Sequence, residues 1–270
     1  MPELPEIESL VRSLQPIIPG KTIVRAQCGQ PKAIKPSVKE FETLAKGRVE
    51  SVHRRAKSFI FKLGHGSIWF HVGLRGRVIY EPPLRPYTSA STPPEGATVS
   101  LAFSDGSRFS IVRSFMGHAH FLSPSDSEKE WNSYGKEPLD QDFTIELFLA
   151  ILERNSKQPI KAILMDQSSI AGIGNYYSDE ILHAAYVHPA ARPVSIASEK
   201  RSQVYDSIRS VLARAIELRG EPEWIGLDGQ GGRYVAQIHG RPDCGRCGGP
   251  SQTISIHGRT GYFCPACQPL

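Results

Sequence analysis

Apolar side chains at Leu4, Ile7, Leu10, Val11 and Leu14 recur with the three-and-four spacing of a helix that buries one face. Pro5 suits the first turn of that helix, and its end is predicted near Gln15. Beyond it the period shortens. Runs at 22–28, 48–54, 58–63, 67–72, 77–80, 98–104, 108–112 and 118–122 carry β-branched or aromatic residues between Gly, Pro, Asp and Ser, which predicts short strands arranged as a sandwich or barrel. The stretch 81–96 holds five prolines and no period, and is predicted to be an irregular surface loop. Residues 124–142 are polar and mark a boundary. After it, helices are expected at 144–154 with Thr144 as cap, at 160–166, at 175–185 and at 198–219 with Gly220 as stop. Val204, Ile208, Val211, Leu212, Ala215 and Ile216 share one face of the last helix and read as core. A glycine-rich connection, 226–232, leads to the C-terminal region. The pattern therefore predicts an α+β chain with an N-terminal helix and β-sandwich at 1–123, a linker at 124–142, a helical domain at 143–232 and a terminal module at 233–270.

Four of the five cysteines lie in that module, as Cys244-x2-Cys247-x16-Cys264-x2-Cys267. Two CxxC steps at this separation fit a zinc ribbon, and two disulfides are the competing explanation. Four thiolates fill a tetrahedral site and leave no position for water, so one structural Zn2+ is expected and a zinc-dependent hydrolase is excluded. Cys28, on a predicted strand, reads as a small buried hydrophobe. The formal charge of +5 in 270 residues permits a nucleic-acid partner without requiring one. With no apolar run of membrane-spanning length and no signal-peptide pattern at the N-terminus, an intracellular protein is expected.

The chain opens Met1-Pro2-Glu3-Leu4-Pro5-Glu6. Removal of Met1 would leave a secondary amine beside two carboxylates. Amines attack aldehyde-like carbons to give Schiff bases, and an α-amine is free near neutrality more often than a lysine. The same residues also make an ordinary helix start, since acidic first turns are common. Further on, Gly172-Ile173-Gly174-Asn175 joins two predicted helices. Glycine lets the backbone approach a phosphate, the N–H groups opening the next helix are anion donors, and Asn175 adds a side-chain donor; a plain helix turn is the alternative.

Taken in order, Pro2-Glu3-Leu4-Pro5-Glu6, His53-Arg54-Arg55-Ala56-Lys57, His71-Val72-Gly73, Gly135-Lys136-Glu137-Pro138-Leu139, Ile160-Lys161, Gly172-Ile173-Gly174-Asn175-Tyr176-Tyr177 and the terminal cysteines resemble the formamidopyrimidine-DNA glycosylase family, related to endonuclease VIII. The resemblance covers nearly the whole chain. It implies a β-sandwich domain, a helical domain with a helix–two-turn–helix element and a zinc ribbon. It also implies excision of oxidised bases followed by strand cleavage through β,δ-elimination. Pro2 matches the nucleophile that attacks C1′, Glu3 the residue that protonates the sugar ring oxygen, Glu6 the second carboxylate and Lys57 the active-site lysine that contacts phosphate. Asn175, with Gly174 before it, and Arg259 match the pair that grips the lesion's phosphates. His71 and Lys161 match further DNA-facing positions, and Leu74 the apolar wedge that fills the space left by an extruded nucleotide. The implied partner is double-stranded DNA containing damaged bases or abasic sites, met by a monomer that uses no membrane.

One segment departs from the family's 8-oxoguanine-removing pattern. Val112-Arg113-Ser114-Phe115-Met116-Gly117 puts Ser114 in the slot of an arginine that reads the orphaned cytosine, and Met116 in that of a wedging phenylalanine; Arg113 or Phe115 would substitute if the register shifts. A serine lacks the arginine fork of donors, so the opposite-base preference and the lesion stay open. The segment 220–233 also looks short for a loop over the flipped base. A non-catalytic module that binds damaged DNA through the same elements is the alternative function.

Overall fold

The computed structural model describes residues 1–83 and 92–270, so much of the proline-rich loop expected at 81–96 lies outside the described residues. The chain divides into two compact units. One comprises Met1–Pro2, Glu6–Asn132 and Glu223–Gly231; the other comprises Glu3–Pro5, Ser133–Pro222 and Gly232–Leu270.

Helix α1 (Leu4–Leu14), which belongs to the first unit from Glu6 onward, buries Ile7, Leu10, Val11 and Leu14 there as its spacing requires. The strands are β1 (Thr22–Cys28), β2 (Ile34–Lys35), β3 (Gly47–Arg55), β4 (Ser58–Leu63), β5 (Gly66–His71), β6 (Arg77–Glu81), β7 (Ala97–Phe103), β8 (Arg108–Val112) and β9 (His118–Leu122). They run in the order β2-β9-β5-β4-β3-β1-β7-β8-β6. At the middle of that order only Thr22↔Arg48 and Ile23↔Gly47 join β1 to β3. The two halves fold face to face over a phenylalanine core, in which Phe109 of β8 lies 5.0 Å from Phe61 and 5.5 Å from Phe70, ring centre to ring centre. Phe59 and Phe70 stack at 4.8 Å. Cutting one such ring to alanine costs on the order of 3–5 kcal/mol.

Two helices here have no counterpart in the hydrophobic pattern. Helix α2 (Val38–Leu44) is capped by Ser37 and buries only Phe41. Helix α3 (Pro124–Ser133) occupies the start of the segment expected as a linker and buries none of its residues. It is held to the sheet by Trp131, whose carbonyl accepts from Arg55 Nε at 3.0 Å while the guanidinium lies 5.3 Å over the indole ring. Residues 223–231, expected within the helical domain, belong to this unit because Trp224 is buried in its core.

The second unit holds α4 (Ile145–Arg154), α5 (Ile160–Met165), α6 (Asn175–Ala184), α7 (Ser198–Glu217) and the hairpin β10 (Gln252–Ile256) with β11 (Arg259–Phe263). Thr144 caps α4 by accepting from the Leu147 N–H. The predicted face of α7 is buried at Val204, Ile208, Leu212, Ala215 and Ile216, with Val211 partly buried, in one cluster with Phe148, Ile163 and Ile181. Leu4 joins this second core. A smaller cluster of Ile238, Cys244 and Cys264 holds the C-terminal module.

Candidate active site and zinc centre

The N–H groups that open α6 already have an anion, and it comes from the chain's own N-terminal segment. Glu3 Oε2 accepts from the Gly174 N–H at 2.6 Å and Glu3 Oε1 from the Tyr176 N–H at 2.9 Å. The Tyr177 N–H reaches Oε2 at 3.4 Å. Backbone donors at a helix start, with the positive end of its dipole, suit a carboxylate. These amides, expected as anion donors, hold the carboxylate of Glu3. Glycine is needed at 172 for a related reason. It sits at φ +88°, its carbonyl accepts the Leu4 N–H at 3.1 Å, and a Cβ there would come within 2.8 Å of the Leu4 side chain. Gln167 braces the turn, taking the Gly172 N–H on Oε1 and giving Nε2 to the Ile173 carbonyl. The Gly135-Lys136 segment lies alongside, with the Ala171 N–H on the Lys136 carbonyl.

Lys161, matched by the resemblance to a DNA-facing position, is buried in this structure. Its side chain is 0% exposed, and its Nζ donates to Asp179 Oδ1 at 2.6 Å, Ser178 Oγ at 2.8 Å and the Asn175 carbonyl at 3.0 Å. Burial pushes the ammonium below the ordinary lysine range, and the charges of Asp179 and Glu3 oppose that push. The other oxygen of Asp179 takes a hydrogen bond from His239 Nδ1 at 2.7 Å. Glu180 accepts from the N–H groups of Gln237, Ile238 and His239 and from the Tyr234 hydroxyl. Hydrogen bonds to a charged group contribute about 1.5–3 kcal/mol each, so α6 is tied firmly to the segment leading into the cysteines. Asp179 and Glu180 escaped the sequence reading; the available signal was an acidic pair inside a helix otherwise apolar on several sides.

Cys244, Cys247, Cys264 and Cys267 converge, with all four Sγ atoms within 4.8 Å of one another. Cys244 and Cys267 are 4.0 Å apart and Cys247 and Cys264 3.5 Å, too long for disulfides and close to the roughly 3.8 Å that four Zn–S bonds of about 2.3 Å impose in a tetrahedron. These residues fit one structural Zn2+. Asn175 Nδ2 donates to the Thr260 carbonyl at 2.8 Å, beside Arg259, which is exposed at the start of β11. His257 and Gly258, both with positive φ, form the two-residue turn that presents it. Cys28 is half-buried and unpaired, its thiol pushed up to about 12 by burial and by Glu42.

In the first unit Pro2 and Glu6 are buried and Met1 is exposed. Lys57 lies in the turn between β3 and β4, where Ala56 adopts φ +51° and its carbonyl accepts from Arg54 Nη1. His71 ends β5, its ring stacked 5.4 Å from His118, which stacks in turn 4.1 Å from His120. Burial, then His118, Lys57 and the terminal amine, hold His71 down at about 4. Lys57, His71 and the terminus thus share one neighbourhood. Leu74 is half-buried on the next loop and pairs with Phe115 through two backbone hydrogen bonds of 2.7 and 3.1 Å. Ser114 is buried, its hydroxyl spent on the Val72 carbonyl at 2.6 Å, while Phe115 and Met116 are 66% and 68% exposed. Arg75, Arg113 and Met116 all have positive φ, so the paired loops hold these apolar tips in a strained, fixed form.

Family models match in three places along the chain: the formamidopyrimidine-DNA glycosylase N-terminal domain at residues 1–115, its H2TH domain at 134–223, and a zinc finger found in FPG and IleRS at 244–270. Formamidopyrimidine-DNA glycosylase of Streptococcus pneumoniae is 35% identical over 280 residues, covering 99% of both chains. That of Chloroflexus aggregans is 36% identical over 282 residues, covering 100% of this chain and 99% of its own. Among solved structures, Lactococcus lactis Fpg in complex with abasic-site DNA superposes with a TM-score of 0.88 at 26% identity, over 99% of this chain and 100% of that one. The same enzyme with Fapy-dG DNA gives 0.86 at 27% identity, over 99% and 100%. With models matching from the N-terminal segment through the helical hairpin to the cysteines, and relatives aligned end to end, this chain belongs to the formamidopyrimidine-DNA glycosylase family.

Proposed function

We propose that this chain removes damaged bases from double-stranded DNA and cleaves the resulting abasic site, with Pro2 as nucleophile once Met1 is removed. Base-excision DNA glycosylase and abasic-site lyase activity go with the family. The assignment of roles to residues is our reading. The Pro2 nitrogen attacks C1′ as the bond to the base breaks, the base leaves with a proton, and the ring oxygen takes a proton as the sugar opens. The iminium acidifies C2′–H. Loss of that proton expels the 3′ phosphate, a second elimination expels the 5′ phosphate, and water releases the unsaturated sugar and restores Pro2.

The observation that carries this reading is the grip on Glu3, the residue following Pro2, by three backbone N–H groups of α6. A nucleophile at a chain terminus is useless if the terminus wanders, and this anchor limits the positions Pro2 can take. Glu3 serves as the acid for the sugar ring oxygen and Glu6 as the second carboxylate. Lys57 and His71 contact phosphate next to the amine, and Asn175 and Arg259 supply the phosphate grip from α6 and the zinc hairpin. Leu74 acts as wedge together with Phe115 and Met116, whose exposed apolar tips suit insertion between bases. Lys161 supports Asn175 from inside. The zinc takes no part in bond making; when bound it stiffens the hairpin that carries Arg259.

Borohydride reduction of the iminium is the test. Protein of verified N-terminal mass lacking Met1 should be trapped covalently on abasic duplex DNA, and Pro2→Gly should be trapped at least about 100-fold more slowly. Equal strand cleavage by Pro2→Gly, Glu3→Gln and the parent would leave the non-catalytic damaged-DNA-binding reading in place instead.

A further inference from the structure

Asn175, Asp179 and His183 stand at i, i+4 and i+8 of α6 and so share one face of the helix. Each makes a polar contact to the cysteine-bearing module. Asn175 reaches the Thr260 carbonyl, Asp179 reaches His239, and His183 Nε2 lies 3.1 Å from Cys244 Sγ. The last of these ends on a metal ligand rather than on the frame around it. His183 is 2% exposed and lies in the last turns of the helix, packed against the module that Gln268 closes by bridging the Val187 carbonyl and the Cys264 N–H.

A cysteine bound to zinc is a thiolate with no proton to give. The atom facing it at 3.1 Å must therefore carry the hydrogen, which fixes the His183 ring as the Nε2–H tautomer. We infer that His183 is a positioning residue of the zinc centre: its Nε2–H donates to the Cys244 thiolate, withdraws charge from that sulfur and sets the register of the zinc module on α6. Four thiolates around one Zn2+ leave a net charge of −2, so a buried N–H donor at one of them stabilises the filled site and makes that sulfur a poorer nucleophile. The remaining valence of the ring is not needed for the metal, because the four cysteines already complete the tetrahedron.

The experiment uses the zinc-loaded full chain, its cobalt- and cadmium-substituted forms, and the variants His183→Phe and His183→Gln. Phenylalanine fills the buried space without a donor, and glutamine restores an N–H near the same place. In competition with a chelator, His183→Phe should hold zinc about 10–100-fold more weakly, the range typical for loss of such a partner, and His183→Gln should recover most of the difference. In the cobalt form the thiolate-to-metal charge-transfer band should move to lower energy in His183→Phe and return towards the parent position in His183→Gln, a shift that loss of packing alone does not give. Nitrogen NMR of the unmodified cadmium-loaded chain should show the Nε2–H tautomer for His183, with coupling from cadmium to that proton through the hydrogen bond. The Nδ1–H tautomer in the unmodified chain would overturn the inference whether or not the variants fold. So would zinc affinity within threefold of the parent together with an unmoved cobalt band in folded His183→Phe.

Discussion

Replacing Lys161 by methionine separates a lysine that touches DNA from one that props up the residues that do. Methionine keeps most of the apolar stem and deletes three hydrogen bonds, to Asp179, Ser178 and the Asn175 carbonyl. Both members of the Lys161–Asp179 pair are 0% exposed, so Asp179 would keep a buried carboxylate with His239 as its remaining donor among the described residues. Breaking a buried pair in this way costs on the order of 3–5 kcal/mol. For a chain of this size each kcal/mol moves the melting temperature by roughly 2–4 °C, so thermal unfolding of the zinc-loaded protein should fall by about 10 °C. Lys161→Met/Asp179→Leu should recover part of the loss, because the charge stranded in the single variant is gone.

Binding to abasic-site DNA, measured below the lowered transition across a range of salt, supplies the second readout. A lysine on a phosphate releases counterions, and its loss lowers the salt slope by about 1. A buried support leaves that slope unchanged while weakening affinity through Asn175. A stability loss below about 1 kcal/mol combined with a slope reduced by one would refute the buried placement of this ammonium.

Two further outcomes follow from the geometry. His71 and His120 are each held down at about 4, by burial first and by neighbouring cations next, whereas the unfolded chain takes up these protons near the ordinary histidine value. Their contribution to stability is therefore complete above about pH 6.5 and is lost as pH falls towards 4, by up to about 3 kcal/mol for His71; urea titrations against pH should show this slope, flattened in His71→Gln, and a slope that persists there assigns it elsewhere. Gly172→Ala places a methyl group against Leu4 at positive φ, costs roughly 1–3 kcal/mol and, by shifting the segment that holds Glu3, should slow borohydride trapping by up to about 100-fold; trapping at the parent rate would show that the Leu4 contact does not govern the terminus.

Eight strands of the first unit were legible because each alternates or clusters its apolar residues over five to nine positions, and β1, β4, β8 and β9 fall on their expected bounds, whereas the two-residue β2 leaves no pattern to read. Helix α2 stayed invisible because a seven-residue helix with one buried side chain leaves no period to read. Helix α3 stayed invisible because it is polar apart from Trp131 and depends on the pairing of that residue with Arg55, a contact across 76 residues. The zinc ligands could be read from spacing alone, since two CxxC steps bring their sulfurs together through local turns. Glu3 and Lys161 show the opposite case. Each was recognisable as a position of interest, but no spacing rule points to the partner that decides its role, 171 residues away for Glu3 and Gly174 and 18 for Lys161 and Asp179. The glycine turn suggested an anion at the α6 amides and the resemblance a DNA-facing Lys161, while packing supplies a carboxylate to both.

Helix α6 gathers these contacts into one device. A ten-residue helix is about 15 Å long, and along that length it receives Glu3 at its first amides, Lys161 beneath its first turn, Glu180 and Asp179 towards residues 237–239, and Cys244 at His183. None of the side chains in this set spans more than a few ångströms, yet the hydrogen-bonded backbone connects the carboxylate next to the nucleophile with a zinc ligand. The small cluster of Ile238, Cys244 and Cys264 is too slight to keep the terminal module folded alone, so the metal and α6 must supply what a larger core would otherwise provide. A structural zinc that never meets the substrate can in this way govern both the hairpin carrying Arg259 and the far end of the helix that anchors Glu3. The polar residues inside α6 are thus retained in an apolar setting because each is matched to a charge or donor at a fixed height on the helix, and a one-residue slip of α6 would unmatch them all at once.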